Sequence, residues 1–327
     1  MNAHPRSSPH HRTRQIMSTT HYEQLERRIA ALEANAMSRT AVKEMIRESI
    51  LVPSLERPTL LESDPFMAYT NVSSLDFTHP RYAQLCKLIY QTPTWHRKQW
   101  EYIYILHQLL EANILRPGTR GIGFGVDAEP LPSAFAQLGS AVLATDAPAA
   151  IKMAGGWLAN HDNYRPLDRL HFGWIPESLF RERVNFTECN MKDIDSSFSG
   201  YDFAWSSCCL EHLGTLEAGL DFVMNSVEKC LRIGGIAVHT TELNLSSDVD
   251  TVEASDETVL YRRRDLEAFV ERMRERGHDV QPIRVGPAAT ALDFHVDVPP
   301  YSPNPHLRLK LAGFVTTSAG LVIRRGR

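Results

Sequence analysis

The feature that most constrains this chain is Gly121-Ile-Gly123-Phe-Gly125, three glycines at alternate positions between a short apolar run and a helical one. Without side chains the backbone can turn sharply there and lie directly against a ligand. The next apolar run, Ala141-Val-Leu-Ala-Thr-Asp146, reads as a second strand that ends in an acid. Asp146 follows the turn by about 20 residues, where a carboxylate at the tip of the second strand can accept both hydroxyls of a ribose.

The rest of the chain alternates in the same way. Apolar runs at 119–123, 141–146, 184–189, 201–206, 236–241, 280–285 and 315–324 predict strands, and 132–138, 216–231 and 264–276 predict helices. That order points to an α/β fold, a Rossmann-like doubly wound sheet of seven strands with crossover helices. Upstream, Trp100, Ile103, Leu106, His107 and Leu110 mark one helix over 93–115, ended by Pro117-Gly118. Residues 52–80 are rich in Pro and Ser and read as irregular.

Tyr22, Leu25, Ile29, Leu32 and Ala36 are spaced three and four apart, which suits either a short coiled coil or a lone amphipathic helix. A homo-oligomer formed through residues 20–37 is one expectation. The predicted organisation is a disordered tail over 1–16, an N-terminal helix over 17–50, a helical lead-in that caps the substrate over 51–117, and a ligand-binding domain over 118–327. The tail carries Arg6, Arg12 and Arg14 with no acid, and also fits an extension upstream of a start at Met17.

Composition narrows the function. A formal charge of −4 over 327 residues, with no basic face, argues against nucleic acid as a partner. No window approaches the ~18 apolar residues of a membrane span. Cys86, Cys189, Cys208, Cys209 and Cys230 show no Cys-x-x-Cys pair, so a reducing, cytoplasmic setting is expected and a cysteine metal motif is not.

Spacing then separates two ligands. A dinucleotide turn is Gly-x-Gly-x-x-Gly, with its pyrophosphate at the following helix N-terminus. Here the third glycine comes one residue early, and Asp127 and Glu129 stand where that pyrophosphate would lie. S-adenosylmethionine (SAM) carries a sulfonium and an ammonium, to which such acids are attractive. An NAD(P)-dependent oxidoreductase and a non-catalytic SAM-binding or assembly protein stay open as alternatives.

Over about residues 95–325 the chain resembles the class I SAM-dependent methyltransferases. The resemblance is carried by Gly121-Ile-Gly-Phe-Gly125, Thr145-Asp146, Tyr201-Asp-Phe-Ala-Trp-Ser-Ser-Cys-Cys-Leu-Glu-His212 and Leu231-Arg-Ile-Gly-Gly235-Ile-Ala-Val-His239. It is similar to bacterial enzymes acting on small molecules or glycans. The resemblance implies a last strand inserted antiparallel between the fifth and sixth, and SAM as cofactor. It places Gly121, Gly123 and Gly125 against the methionine part, Asp146 on the ribose, and Asn190 near the adenine amino group, with Ser206 and Glu129 also in the cofactor site. The family's acid two residues before the first glycine is here Thr119, so Asp127 or Glu129 would supply the ammonium contact. Residues after the fourth strand match no Asn/Asp-Pro-Pro-aromatic motif of amino-methylating DNA enzymes.

Methyl transfer to a hydroxyl needs alignment and removal of a proton. The expected catalytic residues are His239, His212 and Glu242, which follow the fourth and fifth strands, with His239 as general base. Asp293, His295 and Asp297 alternate along an expected extended segment and read as metal ligands, sugar-binding groups or a polar edge. Arg97 and Lys98 read as a solvated helix start, and Trp100 and Glu101 as a possible wall of the cofactor pocket.

Overall fold

Every second residue of Phe203-Ala-Trp205 is a large aromatic, and the residues between them are buried as well. A strand covered by helices on both faces needs that pattern. The computed structural model describes residues 60–148 and 166–327, together with 26–28, 30, 41 and 151. Two compact units divide the chain, Met1–Pro53 and Ser54–Arg327. In the first, residues 26–28, 30 and 41 are helical. The remainder of the expected tail, coiled-coil stripe and association surface lies outside the described residues.

In the second unit, strands β1 (Arg120–Phe124), β2 (Ala141–Asp146), β3 (Val184–Glu188), β4 (Tyr201–Ser207) and β5 (Leu231–Asn244) run parallel in the order β3-β2-β1-β4-β5. The order reverses between β1 and β4, the place where open sheets of this kind bind ligands at their carboxyl ends. β9 (Phe314–Arg324) pairs antiparallel with β5 from Ile236↔Arg324 to Asn244↔Thr316. Beyond it lie β6 (Asp279–Val280) at one end, and β8 (Arg308–Leu311) followed by β7 (Val296–Asp297) at the other. The antiparallel last strand is as expected, but the sheet has nine strands among the described residues rather than seven. The run at 280–285 contributes two residues to it, and β7 and β8 are additions. Ala312 and Gly313, both at positive φ (48° and 90°), make the two-residue turn that suits the twist of the β8–β9 hairpin.

The helices are α1 (Ser74–Thr78), α2 (Pro80–Leu88), α3 (Arg97–Glu111), α4 (Leu131–Gln137), α5 (Pro166–Leu170), α6 (Glu177–Arg183), α7 (Leu216–Asn225), α8 (Arg263–Glu275) and α9 (Ala291–Phe294). α7 runs into a π-helical turn, Ser226–Cys230, before β5. The His96 side chain caps α3 by accepting from the Lys98 amide at 3.0 Å, so the helix begins where two cations project from its first turn. Trp100, Ile103, Tyr104 and Leu106 bury its inner face. Tyr104 lies so close to β9 that a Cβ on Gly320 would meet its ring at 2.0 Å. The lead-in is thus built into the sheet unit. On the opposite layer α8 buries Leu266, Phe269, Val270 and Met273, each worth ~1.5–3 kcal/mol of transfer free energy. No described helix is long and apolar enough to cross a membrane.

Candidate active site

Two hydrogen bonds assemble the carboxyl edge of β1, β2 and β3. The Val126 amide donates to Thr145 O at 2.8 Å, and the Cys189 amide donates to Asp146 O at 2.8 Å. The glycine turn, Asp146 and Asn190 therefore lie side by side at the switch point. Gly125 has φ +63°, a conformation other residues rarely adopt, and a Cβ there would meet Cys209 Cβ at 2.8 Å. Asp146 is half-buried, with Oδ1 accepting from the Ala147 amide at 2.7 Å. Asn190 Oδ1 accepts from the Lys192 amide at 3.1 Å.

The other expected cofactor contacts are corrected in part. Gly121 and Gly123 lie inside β1, and a Cβ on either would strike the Phe203 ring at 2.2 Å or Trp205 at 2.3 Å. Their missing side chains make room for aromatic packing. Ser206 is buried within the sheet and bonded to His239, so it does not line this edge. Asp127 is exposed and ion-paired with Arg169 at 2.8 Å. Glu129 is buried behind the turn and accepts from Trp205 Nε1 at 2.7 Å. Burial outweighs that bond and pushes its carboxyl up to about 7.

His239 is not at the cleft. It is fully buried, with Nδ1 2.7 Å from Ser206 Oγ, Nε2 2.9 Å from Ser226 Oγ, and its ring edge-on to Phe222. Ser226 donates its own proton to Val223 O at 2.7 Å. Its oxygen therefore accepts from Nε2–H, and Nδ1 accepts from Ser206, which fixes a neutral ring. Burial lowers the pKa of His239 to about 3. A ring with both nitrogens engaged and no exposure cannot take a proton from a substrate. His212 sits half-buried in the 3-10 segment Leu210–His212, with Nδ1 2.5 Å from Glu257 O, and ties down the loop there.

Glu242, three residues beyond His239, points from the other face of β5 into a dense ionic cluster at the carboxyl ends of β4, β5 and α3's first turn. Arg97 pairs with Glu242 Oε1, lies 3.6 Å from Glu101 Oε1, and donates to Ser318 Oγ at 3.0 Å. Lys98 Nζ pairs with Glu101 Oε2 at 2.6 Å and approaches Ser207 O at 3.3 Å. Glu101 is fully buried and also accepts from the hydroxyls of Ser207 (2.9 Å) and Ser318 (2.5 Å). Burial alone would raise its pKa, but Lys98 and Arg97 hold it below the usual range. The cations respond in kind: burial opposes their charge, yet Glu242 keeps Arg97 and Glu101 keeps Lys98 firmly protonated.

The third member is Glu211, also buried, which accepts from Thr241 Oγ1 at 3.2 Å and whose pKa burial raises. Beside it, Cys208 has φ +48°, a strained value for a residue with a side chain. Its amide is held by Thr240 O at 3.1 Å and Thr240 Oγ1 at 3.0 Å. Burial, with Glu101 and Glu211 nearby, raises its thiol well above the ordinary range. Arg97, Lys98, Ser207, Cys208 and Ser318 were absent from the residues predicted. The one local hint was Arg97 and Lys98 standing four and three positions before Glu101, a spacing that pairs charges on a helix.

The expected cluster at 293–297 dissolves. Asp293 caps α9 and accepts from the Ser74 amide (3.0 Å), Ser74 Oγ (2.6 Å), and the amides of Ala289 (2.8 Å) and Thr290 (3.1 Å). Asp297, fully buried, accepts from His306 Nδ1 and the Ser302 amide, each at 2.7 Å. A helical turn breaks the alternation that would have put Asp293, His295 and Asp297 on one face. Trp100 is core, with Nε1 donating to Asp76 at 2.7 Å, rather than a cofactor wall.

β9 lies antiparallel between β5 and β6, the placement expected from the sequence. No protein-family model matches the chain, and no curated protein matches it. Among solved structures it is similar to the methyltransferase domain of bacterial CtHen1, at 16% identity over 70% of this chain and 100% of that one, TM-score 0.43. It is also similar to a putative sarcosine dimethylglycine methyltransferase from Galdieria sulphuraria, at 9% identity over 79% and 92% of the two chains, TM-score 0.44. A third is magnesium protoporphyrin IX methyltransferase from Synechocystis PCC 6803 with bound SAH, at 12% identity over 74% and 94%, TM-score 0.41.

Proposed function

We propose that the protein is a SAM-dependent methyltransferase acting on a hydroxyl of a small molecule or glycan. The observation that carries this reading is the contiguous edge made by Gly125, Asp146 and Asn190, joined through the Val126–Thr145 and Cys189–Asp146 hydrogen bonds. These residues suit SAM: an open backbone turn, a carboxylate for two ribose hydroxyls, and an amide oxygen for the adenine amino group. Asp127 and Glu129 are the anions nearest in sequence for an ammonium, with Glu129 buried behind the turn. When bound, SAM supplies a methyl group on a sulfonium, which departs with the carbon–sulfur electron pair.

The chain's own work lies at the acceptor side. The ends of β4 and β5 present Glu211 and Glu242, whose carboxyl oxygens can accept hydrogen bonds from O–H donors. Arg97, held by Glu101 and Ser318, fixes Glu242 in place. The acceptor is thereby oriented and its oxygen deprived of its proton at this anionic edge. An NAD(P) reading fares worse, because the dinucleotide fold has no antiparallel strand inserted beside β5 and places a pyrophosphate beyond its glycine turn.

The test is calorimetric titration of the full chain with SAM and with NADH. SAM should bind and NADH should not. Asp146→Asn should weaken SAM ~10–100-fold, the range for losing charged hydrogen bonds. Binding of NADH alone, or unchanged SAM affinity in the variant, would reject the reading. Release of S-adenosylhomocysteine across hydroxylated acceptors then identifies the substrate class.

A further inference from the structure

We propose that Cys208, Glu211 and Glu242 form a binding site for one divalent transition metal of the zinc class. Cys208 Sγ and one oxygen from each carboxylate all lie within 4.8 Å of one another. Small side-chain rotations bring such atoms onto one ion at the ~2.0–2.3 Å of zinc–oxygen and zinc–sulfur bonds. They come from three fixed places: the strained residue after β4, the 3-10 segment Leu210–His212, and β5. The left-handed turn at Cys208 precedes the 3-10 segment that carries Glu211.

A second observation is independent of the clustering. Glu242 is only 3% exposed, and its Oε2 is buried with no hydrogen-bond partner among the described residues. A buried carboxylate oxygen without a partner costs free energy that a cation would recover.

Charge and donor chemistry agree. A thiolate and two carboxylates carry three negative charges, which a divalent ion and the Arg97 guanidinium balance. The paired Lys98 and Glu101 stay neutral beside them. Magnesium and calcium demand oxygen donors throughout. A thiolate mixed with carboxylates suits a borderline ion such as zinc, and three protein ligands leave a fourth position open. Arg97 on Glu242 and Thr241 on Glu211 supply the outer hydrogen bonds that orient metal ligands. Resting on the methyl-transfer reading, the open position takes the acceptor's oxygen. Coordination lowers that oxygen's pKa, so that its proton leaves to solvent before the methyl arrives.

The test does not depend on turnover. The full chain, stripped with chelator, is titrated with cobalt(II) and separately with zinc(II). The expected result is one metal per chain, with a thiolate-to-cobalt charge-transfer band. Cys208→Ala should abolish the band, and Glu242→Gln should lower affinity by more than the ~10–100-fold that outer-shell groups contribute. Cys189→Ala, which removes a buried cysteine outside the cluster, should retain both. Circular dichroism identifies any variant that fails to fold, and Cys208→Ser then replaces Cys208→Ala. No stoichiometric cobalt binding, or a band that survives loss of the Cys208 thiol, overturns the proposal. SAM titration of the stripped chain separates that failure from failure of the methyltransferase reading.

Discussion

Two groups of buried acids lie in the sheet unit, and they differ in how well they are satisfied. Asp293 and Asp297 accept from amides, a hydroxyl and an imidazole, Asp293 through four donors. Glu211 and Glu242 are as deeply buried, yet Glu211 has the Thr241 hydroxyl as its side-chain donor and Glu242 keeps an oxygen without a partner. A carboxylate whose lone pairs are filled by the fold has no capacity left for a ligand. One that is buried and under-satisfied is strain retained for a purpose. The first group is therefore architecture, and the second is the proposed site.

The sharpest way to break that contrast is to mutate both. Glu242→Gln should lower turnover ~10²–10⁴-fold, the usual cost of losing a group that helps the acceptor oxygen shed its proton. Its stability should fall by no more than about 2 kcal/mol, less than for a broken buried pair, because Arg97 keeps Glu101 and Ser318. Asp293→Ala should do the reverse. It strands Ser74, Ala289 and Thr290, costing about 3 kcal/mol in urea unfolding while leaving turnover of the folded enzyme near the parent's. If turnover tracked stability in both variants, the distinction would fail.

A smaller effect sharpens the contrast within β5 itself. His239→Gln should leave turnover within about threefold, since a general base is normally worth ~10² or more. It should instead change acid stability. The folded pKa of His239 is about 3, below the unfolded value of ~6.5. The unfolded state therefore binds the extra proton, and stability present above pH ~6.5 is lost as the pH falls towards 3. Removing the ring should flatten that slope by up to one proton, about 1.4 kcal/mol per pH unit. Urea melts across that range measure it, and an unchanged slope would place the ring elsewhere.

The sheet was largely legible in the residues because β1 to β5 and β9 are apolar runs long enough to declare themselves. β8 was not, since Arg308-Leu-Lys-Leu311 looks like an ordinary polar edge. β7 spans two residues beside a helical turn that no alternation foretells. The proposed cofactor edge was legible because its turn and the acid after it are close in the chain. Of the proposed acceptor side Glu242 was read from the sequence, but Arg97, Cys208 and Ser318 were not, because they meet it only through the sheet. Parity alone could have separated His239 from Glu242. An odd spacing along a strand sends two side chains to opposite faces.

The position of β9 has a consequence for synthesis. It is made after the other described strands of the sheet, yet it sits inside, between β5 and the short strands beyond. Until it arrives, β5 offers an unpaired row of amides and carbonyls to any other extended chain. The nascent protein must therefore be shielded along that border for longer than its early strands need. Lesions that slow or shorten the β8–β9 hairpin should appear first as aggregation, before any loss of ligand binding.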